Sequence, residues 1–207
     1  MTDAELFREW ADGDAKAGAA LFERHFAAIE RFFRHKLIGE DPADDLVQQT
    51  FLGVMEARSR FRGEASFRTF LFAVARNVLG KYLRTKSRDT RRFDPSLHSV
   101  ADLGPSPSTA LAVAQAGQLL LDALRSLPVD SQTVLELFYW ENMRGVEIAQ
   151  VLGVPLGTAK TRLRTARLQL QAQLRTLKLA VSPARHGELE GWSLRLRADN
   201  AVALEAD

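Results

Sequence analysis

Glu147-Ile148-Ala149-Gln150-Val151-Leu152-Gly153-Val154-Pro155 has the layout of a helix, a tight turn and the start of a second helix, and its reading decides the fold. Ile148, Val151 and Leu152 recur at helical spacing and form one inward face, while Ala149 is small enough to let another helix cross closely. Gly153 permits a left-handed turn, and a fresh helix begins near Pro155. In that second helix Ala159, Leu163, Ala166 and Leu170 face inward. The opposite face holds Thr158, Lys160, Thr161, Arg164, Thr165 and Gln169. Short hydroxyls and long cations are the side chains that reach base edges and phosphates in a major groove. The competing reading is a surface helix of an ordinary bundle. A glycine turn, a small crossing residue and an acid-free basic helix together favour the DNA-binding one.

The charge distribution extends this reading along the chain. The formal net charge is only +2, but no acidic residue lies between Glu147 and Glu188, where Lys160, Arg162, Arg164, Arg167, Arg175, Lys178 and Arg185 all fall. A second basic run comprises Lys81, Arg84, Lys86, Arg88, Arg91 and Arg92, and acids concentrate instead from Glu40 to Asp45. Each run alone is equally a solvated helix face. Two of them point to two contacts with a polyanion, for which nucleic acid is the obvious candidate.

Outside that stretch the body is also helical, and an all-α fold is expected. From Ala4 to about Thr85 apolar residues recur at three and four, with Leu21, Phe22, Phe26, Ile29, Phe32 and Phe33 as one inward stripe. Asp41 and Pro42 mark a helix start, followed by Leu46, Val47, Phe51, Val54 and Met55 as a second inward stripe. Arg60 to Ser66 is a loop, and Phe67 to Leu83 the next helix. Phe93 to Thr109, with Pro95, Gly104, Pro105 and Pro107, is a linker, after which helical periodicity runs from Ala110 to about Leu177.

Several chemistries are disfavoured. There are no cysteines, and the four histidines (His25, His35, His98 and His186) share no ligand spacing, so neither a metal nor another cofactor is expected. Asp44 and Asp45 are adjacent carboxylates that cannot face one site from a helix, and no glycine-rich phosphate loop with lysine is present, so no catalytic residue is named and an enzyme is not expected. The first residues lack the basic and apolar regions of a secretion signal, and no apolar run approaches the ~20 residues that span a bilayer. A cytoplasmic location without membrane insertion is the expectation.

Leu127-Pro128, Glu147-Ile148-Ala149, Gly157-Thr158-Ala159-Lys160-Thr161-Arg162-Leu163 and Ala166-Arg167 together resemble region 4 of the bacterial sigma factors. Asp45-Leu46-Val47-Gln48-Gln49-Thr50-Phe51 is similar to their region 2.2, and Phe61-Arg62-Gly63-Glu64-Ala65-Ser66-Phe67 with Ala75-Arg76-Asn77 to regions 2.3 and 2.4. The order and spacing match the small extracytoplasmic-function (ECF) group. Phe70 stands where the family commonly has tryptophan, and Gln132, Ala159, Thr161 and Thr165 also depart from its usual pattern.

The resemblance implies two small helical domains, a region 2 bundle over residues 1–88 and a region 4 helix-turn-helix over 113–178. A flexible linker over 89–112 would join them, and an extension over 179–207 has no counterpart in the minimal family. It implies an alternative sigma factor that lends promoter specificity to RNA polymerase and is controlled by an anti-sigma protein. By the same resemblance, Asp45, Gln48 and Gln49 would bind a coiled coil in the largest subunit of the polymerase core. Asp44 and Asp45 also suit a helix dipole. Phe61, Arg62, Ser66, Arg76, Asn77, Lys81 and Arg84 would meet the minus-10 element of promoter DNA, with Phe61 either stacked on a base or part of the core. Thr158, Lys160, Thr161, Arg162, Arg164, Thr165 and Arg167 would meet the minus-35 element. The linker would thread the polymerase's RNA exit path.

Two other classes compete with this one. A response-regulator output domain requires an αβ phosphoacceptor domain upstream, of which residues 1–90 carry no sign. A nucleic-acid enzyme requires facing carboxylates supported by His or Cys, or a phosphate-binding loop, none of which this sequence offers. The tail, with Leu189, Trp192, Leu194 and Leu196, is either a plain terminus or a short strand near Ser193 to Arg197 that folds back or docks.

Overall fold

Thr2 opens the first helix with a reciprocal cap: its hydroxyl accepts the Glu5 N–H at 3.3 Å, and the Glu5 carboxylate accepts the Thr2 N–H at 2.7 Å. This helix, α1 (Asp3–Ala11), ends at Gly13, whose φ of +111° only glycine adopts without strain. Asp14 then caps α2 (Ala15–Lys36), accepting from the backbone of Lys16 at 2.8 Å. There follow α3 (Asp41–Ala57), a 3-10 turn (Arg58–Arg60), α4 (Phe67–Lys86), α5 (Gln115–Arg125), α6 (Val129–Tyr139), α7 (Gly145–Leu152) and α8 (Leu156–Ala180). The computed structural model describes residues 1–37, 41–61, 63–86 and 115–180, and among them every regular element is helical. Arg62, the linker and the strand expected near Ser193 lie outside the described residues.

The chain divides into two compact units, Met1–Phe93 with Glu136–Ala159, and Asp94–Leu135 with Lys160–Asp207, so that α6 and α8 each contribute to both. In the first unit, α2 and α3 pack together, and α4 packs on α3 and α7. The core is Leu21, Ile29, Phe32, Phe33, Leu46, Val54, Leu71, Phe72, Leu79 and Leu83, none more than 2% exposed. A charged group is enclosed with them. Lys36 is fully buried, its ammonium donating to the Phe32 carbonyl at 3.0 Å and to the Glu136 carboxylate. Burial pushes that ammonium below its ordinary pKa, against the pull of Glu136 and Glu141. Glu141, also buried, takes Arg31 at 2.5 Å and Arg68 at 3.4 Å.

Two residues of the expected inward stripes do not face the core. Phe26 is 49% exposed and Met55 is 52% exposed, while their stripe-mates Leu21, Ile29, Leu46 and Val54 are enclosed. Their helical angle explains it, since each sits at the edge of the buried arc or beyond it.

In the second unit, Leu120, Ala123, Leu124, Leu127, Val134, Leu135, Leu163, Ala166, Leu170 and Leu174 are buried. The amide of Gln132 donates to the Leu127 carbonyl at 2.8 Å and ties the α5–α6 turn. Ser131 donates to Gln169 at 2.8 Å, and Arg162 to Asp130 at 3.2 Å, joining α6 to α8.

Candidate nucleic-acid and partner interfaces

The α7–α8 pair carries out its sequence signals one by one. The Arg144 N–H donates to the Glu147 carboxylate at 2.9 Å and starts α7. Gly153 ends it in the left-handed region, φ +64°, with its N–H on the Ala149 and Gln150 carbonyls. On α8, Ala159, Leu163, Ala166 and Leu170 are buried, whereas Thr158, Lys160, Thr161, Arg164 and Thr165 are exposed. Two other residues that the resemblance assigns to the minus-35 element are not fully exposed. Arg167 is only 3% exposed, because it follows Leu163 by four positions and precedes Leu170 by three and so falls in the apolar stripe. Arg162 is half-buried and held by Asp130. The outward face is therefore narrower than the run of cations implied.

On α4, Asn77, Lys81 and Arg84 are exposed at successive turns, opposite Phe72, Ala75, Leu79 and Leu83. Arg76 and Val74 are half-buried. No acid occurs anywhere in this helix, so its outward face is cationic along its second half.

The loop ahead of α4 turns at Gly63, φ +74°, with open space around it. Ser66, expected to leave room beside DNA, caps α4. Its hydroxyl accepts the Thr69 N–H at 3.1 Å and lies 2.8 Å from the Thr69 hydroxyl. Phe61 is half-buried, its ring 4.6 Å from that of Phe7 and 4.8 Å from that of Phe70. Its ring packs on two neighbours and keeps part of its surface exposed.

Asp44, Asp45, Gln48 and Gln49 are exposed on α3, opposite buried Ala43, Leu46, Val47 and Val54. Arg34 reaches Asp44 at 3.4 Å. Beside this polar row lies a feature absent from the sequence reading. An open groove of about 680 Å³ between α2 and α3 is lined by Phe22, Phe26, Val47, Gln48, Phe51, Leu52 and Met55, among others. Phe26 stacks on Phe51 at 6.2 Å and 3°, and Leu52 is 56% exposed. Its lining is almost wholly apolar, with Phe26, Leu52 and Met55 left open to solvent. Among the described residues no group of side chains could hold a metal ion, and no helix is long and apolar enough to cross a membrane.

Two family models match in the same order as these surfaces: Sigma-70 region 2 over residues 21–89 and Sigma-70, region 4 over residues 117–170. The ECF RNA polymerase sigma-E factor of Haemophilus influenzae is 25% identical over 187 residues, covering 86% of this chain and 97% of that protein. The ECF RNA polymerase sigma factor SigM of Mycobacterium tuberculosis is 29% identical over 182 residues, covering 87% of this chain and 89% of its own. The chain belongs to the sigma-70 family, in its ECF group.

Two solved structures agree in fold. CnrH, in complex with the cytosolic domain of CnrY, superposes with a TM-score of 0.61 at 28% identity, covering 84% of this chain and 97% of that one. The sigma factor RpoE of Bartonella quintana, in complex with the anti-sigma factor NepR, gives 0.59 at 25% identity, covering 74% and 94%. Within this sigma factor the groove, the loop and the α4 face fall in region 2, and α7 with most of α8 in region 4. The match to region 2 begins at Leu21, so α1 lies ahead of it. Two signals could have exposed the groove beforehand. Phe22 and Phe26 stand one turn apart at the edge of α2's stripe, and Leu52 and Met55 stand off that of α3.

Proposed function

We propose that this ECF sigma factor binds RNA polymerase core, directs it to particular promoters as an alternative sigma factor, and is held in check by an anti-sigma protein. The observation that carries the reading is α8 itself. Its buried stripe of Ala159, Leu163, Ala166 and Leu170 fixes which side faces out, and that side presents Lys160, Thr161, Arg164 and Thr165 behind the left-handed turn at Gly153. A helix so built meets the minus-35 duplex, with Thr158 at its leading end. Asn77, Lys81 and Arg84 meet the DNA near the minus-10 element, where cations on one face contact phosphates and set register. The exposed Asp45, Gln48 and Gln49, with the groove beside them, receive the core's coiled coil. An acidic and amide-rich row next to an apolar trough suits a helical hairpin with basic and apolar sides. In working terms, residues 1–88 serve core binding and strand opening, and residues 113–178 serve upstream recognition.

Control by an anti-sigma protein is supported by RpoE, solved with the anti-sigma factor NepR, and by CnrH, solved with the cytosolic domain of CnrY. The test is transcription in a defined system. Purified chain plus core should yield runoff transcripts from a subset of a promoter library, none of which core makes alone. A library without any sequence-dependent start would sink the assignment.

A further inference from the structure

The N-terminal helix α1 precedes the region 2 match and has no part in the function argued so far, yet it touches the promoter-facing loop at both of its stems. The Phe7 ring lies 4.6 Å from Phe61, where the loop leaves the 3-10 turn, and 5.8 Å from Phe67, where α4 begins. Phe61 thereby packs on two rings, that of Phe7 and that of Phe70 4.8 Å away. A single side chain of α1 thus spans the two ends of a loop whose tip, at Gly63 and Glu64, is exposed.

The helix is itself anchored so that this contact has a fixed origin. At its start Asp3 takes Arg24 at 2.6 Å and His25 at 2.7 Å, both on α2. Burial raises the Asp3 carboxyl, but the hydrogen bonds from Arg24 and His25 outweigh it and hold the group below the ordinary carboxylate range. At its end Trp10, only 6% exposed, lies so close to α2 that a Cβ on Gly18 would come within 2.5 Å of the indole. Arg58, in the turn leading into the loop, donates to the Trp10 carbonyl at 3.0 Å and sits 5.1 Å over its ring. Each end of α1 is fastened to α2, and Phe7 and Arg58 join it to the loop and its approach.

We infer that α1 is a positioning element for promoter melting, with Phe7 holding the Phe61–Ser66 loop in the shape that receives an unstacked base of single-stranded DNA. The inference rests on the sigma-factor reading and deepens it at the minus-10 site. Its physical basis is preorganisation: a loop fixed at both stems does not have to be ordered when the strand arrives. Phe7 touches no DNA in this scheme and acts through Phe61 and Phe67.

The experiment uses the full chain assembled with polymerase core on a promoter selected with the wild-type protein. Two probes are titrated: a single strand carrying the downstream element with a fluorescent base, and a duplex carrying only the upstream element. Phe7→Ala should weaken the single-strand probe roughly 3- to 10-fold, the range that one aromatic contact supports, with duplex and core affinities within about twofold. Phe7→Tyr should restore it. Leu6→Ala removes a buried α1 side chain but leaves the Phe7 ring in place, and at a matched loss of melting temperature it should leave single-strand affinity nearly unchanged. Equal losses in Leu6→Ala and Phe7→Ala, or no loss in Phe7→Ala, would overturn the inference. If Phe7→Ala does not fold, Phe7→Leu, which keeps bulk and loses the ring, answers the same question through the same probes. A wild-type holoenzyme indifferent to the single strand would instead refute the minus-10 reading, and the inference with it.

Discussion

Glu136→Gln should be among the most damaging single changes in this molecule. Lys36 is fully buried, its ammonium 3.0 Å from the Phe32 carbonyl, 3.5 Å above the Phe32 ring and bonded to a Glu136 carboxylate that is 3% exposed. His35 stands 3.0 Å from the other Glu136 oxygen. Removing the carboxylate charge leaves an enclosed ammonium with a carbonyl, a ring face and the more distant Glu141. Breaking a buried pair in this way costs about 3–5 kcal/mol. At about 1.4 kcal/mol per decade that is two to nearly four decades in the folding equilibrium. The double change Lys36→Met with Glu136→Leu removes both charges and should be close to neutral, or stabilising by roughly 1–4 kcal/mol. Urea unfolding of the full chain followed by circular dichroism gives both numbers, with a shared slope required for comparison. The linkage sign provides a second check. A lysine whose folded pKa lies below its unfolded value keeps its proton longer in the unfolded state, so stability rises with pH between the two values. Glu136→Gln should therefore recover part of its loss as pH climbs towards the ordinary lysine range near ~10. A single change costing under about 1 kcal/mol, or a double change as damaged as the single, would refute the argument from burial.

Other outcomes follow from the exposed surfaces and the α1 anchor. Arg164→Ala should cost roughly 1–3 kcal/mol of binding at a preferred upstream element if the side chain reads a base; an equal loss on every sequence, measured by duplex titration, would mark it as a phosphate contact. The pair Asp45→Ala with Gln48→Ala, and separately Leu52→Asp in the groove, should weaken the core complex about tenfold or more while moving stability by under ~0.5 kcal/mol, since all three side chains are exposed. Undiminished core binding in both would place the polymerase interface elsewhere. Asp3→Asn should abolish a stabilisation that is fully present above the unfolded carboxylate pKa of ~3.9 and lost as pH falls through the depressed folded value. The melting temperatures of wild type and variant should accordingly converge in acid, and a gap that persists at low pH would exclude the ionic latch.

The architecture was legible in the sequence wherever a local signal and the burial it implies coincide. Gly153 sits at positive φ, Ala159, Leu163, Ala166 and Leu170 are enclosed, and Thr158, Lys160, Thr161, Arg164 and Thr165 are exposed as their spacing requires, while Gln169 is half-buried and taken up by Ser131. Site residues were less legible, because a side-chain type does not fix its partner. Arg167 has the chemistry of a phosphate contact and the register of a core residue, and register prevails since Leu163 and Leu170 carry it inward. Ser66 has the size to admit a base and the position of an N-cap, and its hydroxyl goes to Thr69. The Lys36–Glu136 pair joins residues 100 positions apart, a distance at which helical periodicity conveys nothing.

The groove shows where an apolar stripe must be read by angle and not by membership. At about 100° per residue, the buried positions Ala43, Leu46, Val47, Thr50 and Val54 of α3 share one arc, and Met55 lies about 120° from its centre. Leu52 lies on the far side, about 180° away, where an apolar residue has no core to enter. On α2 the buried arc runs through Leu21, His25, Ile29, Phe32 and Lys36, and Phe26 falls about 100° off its centre. Counting Phe26 and Met55 as core therefore widened each stripe beyond what one packed neighbour can cover. Buried polar residues sharpen the point, since His25, Lys36 and Thr50 occupy inward positions that apolar patterning skips. When the apolar set and the inward set of a helix disagree in both directions, the inward polar residues point to internal hydrogen bonds, and the outward apolar ones are left facing solvent. In this sigma factor the two helices that disagree, α2 and α3, line one groove, and the exposed Asp45, Gln48 and Gln49 lie on the α3 that forms its wall.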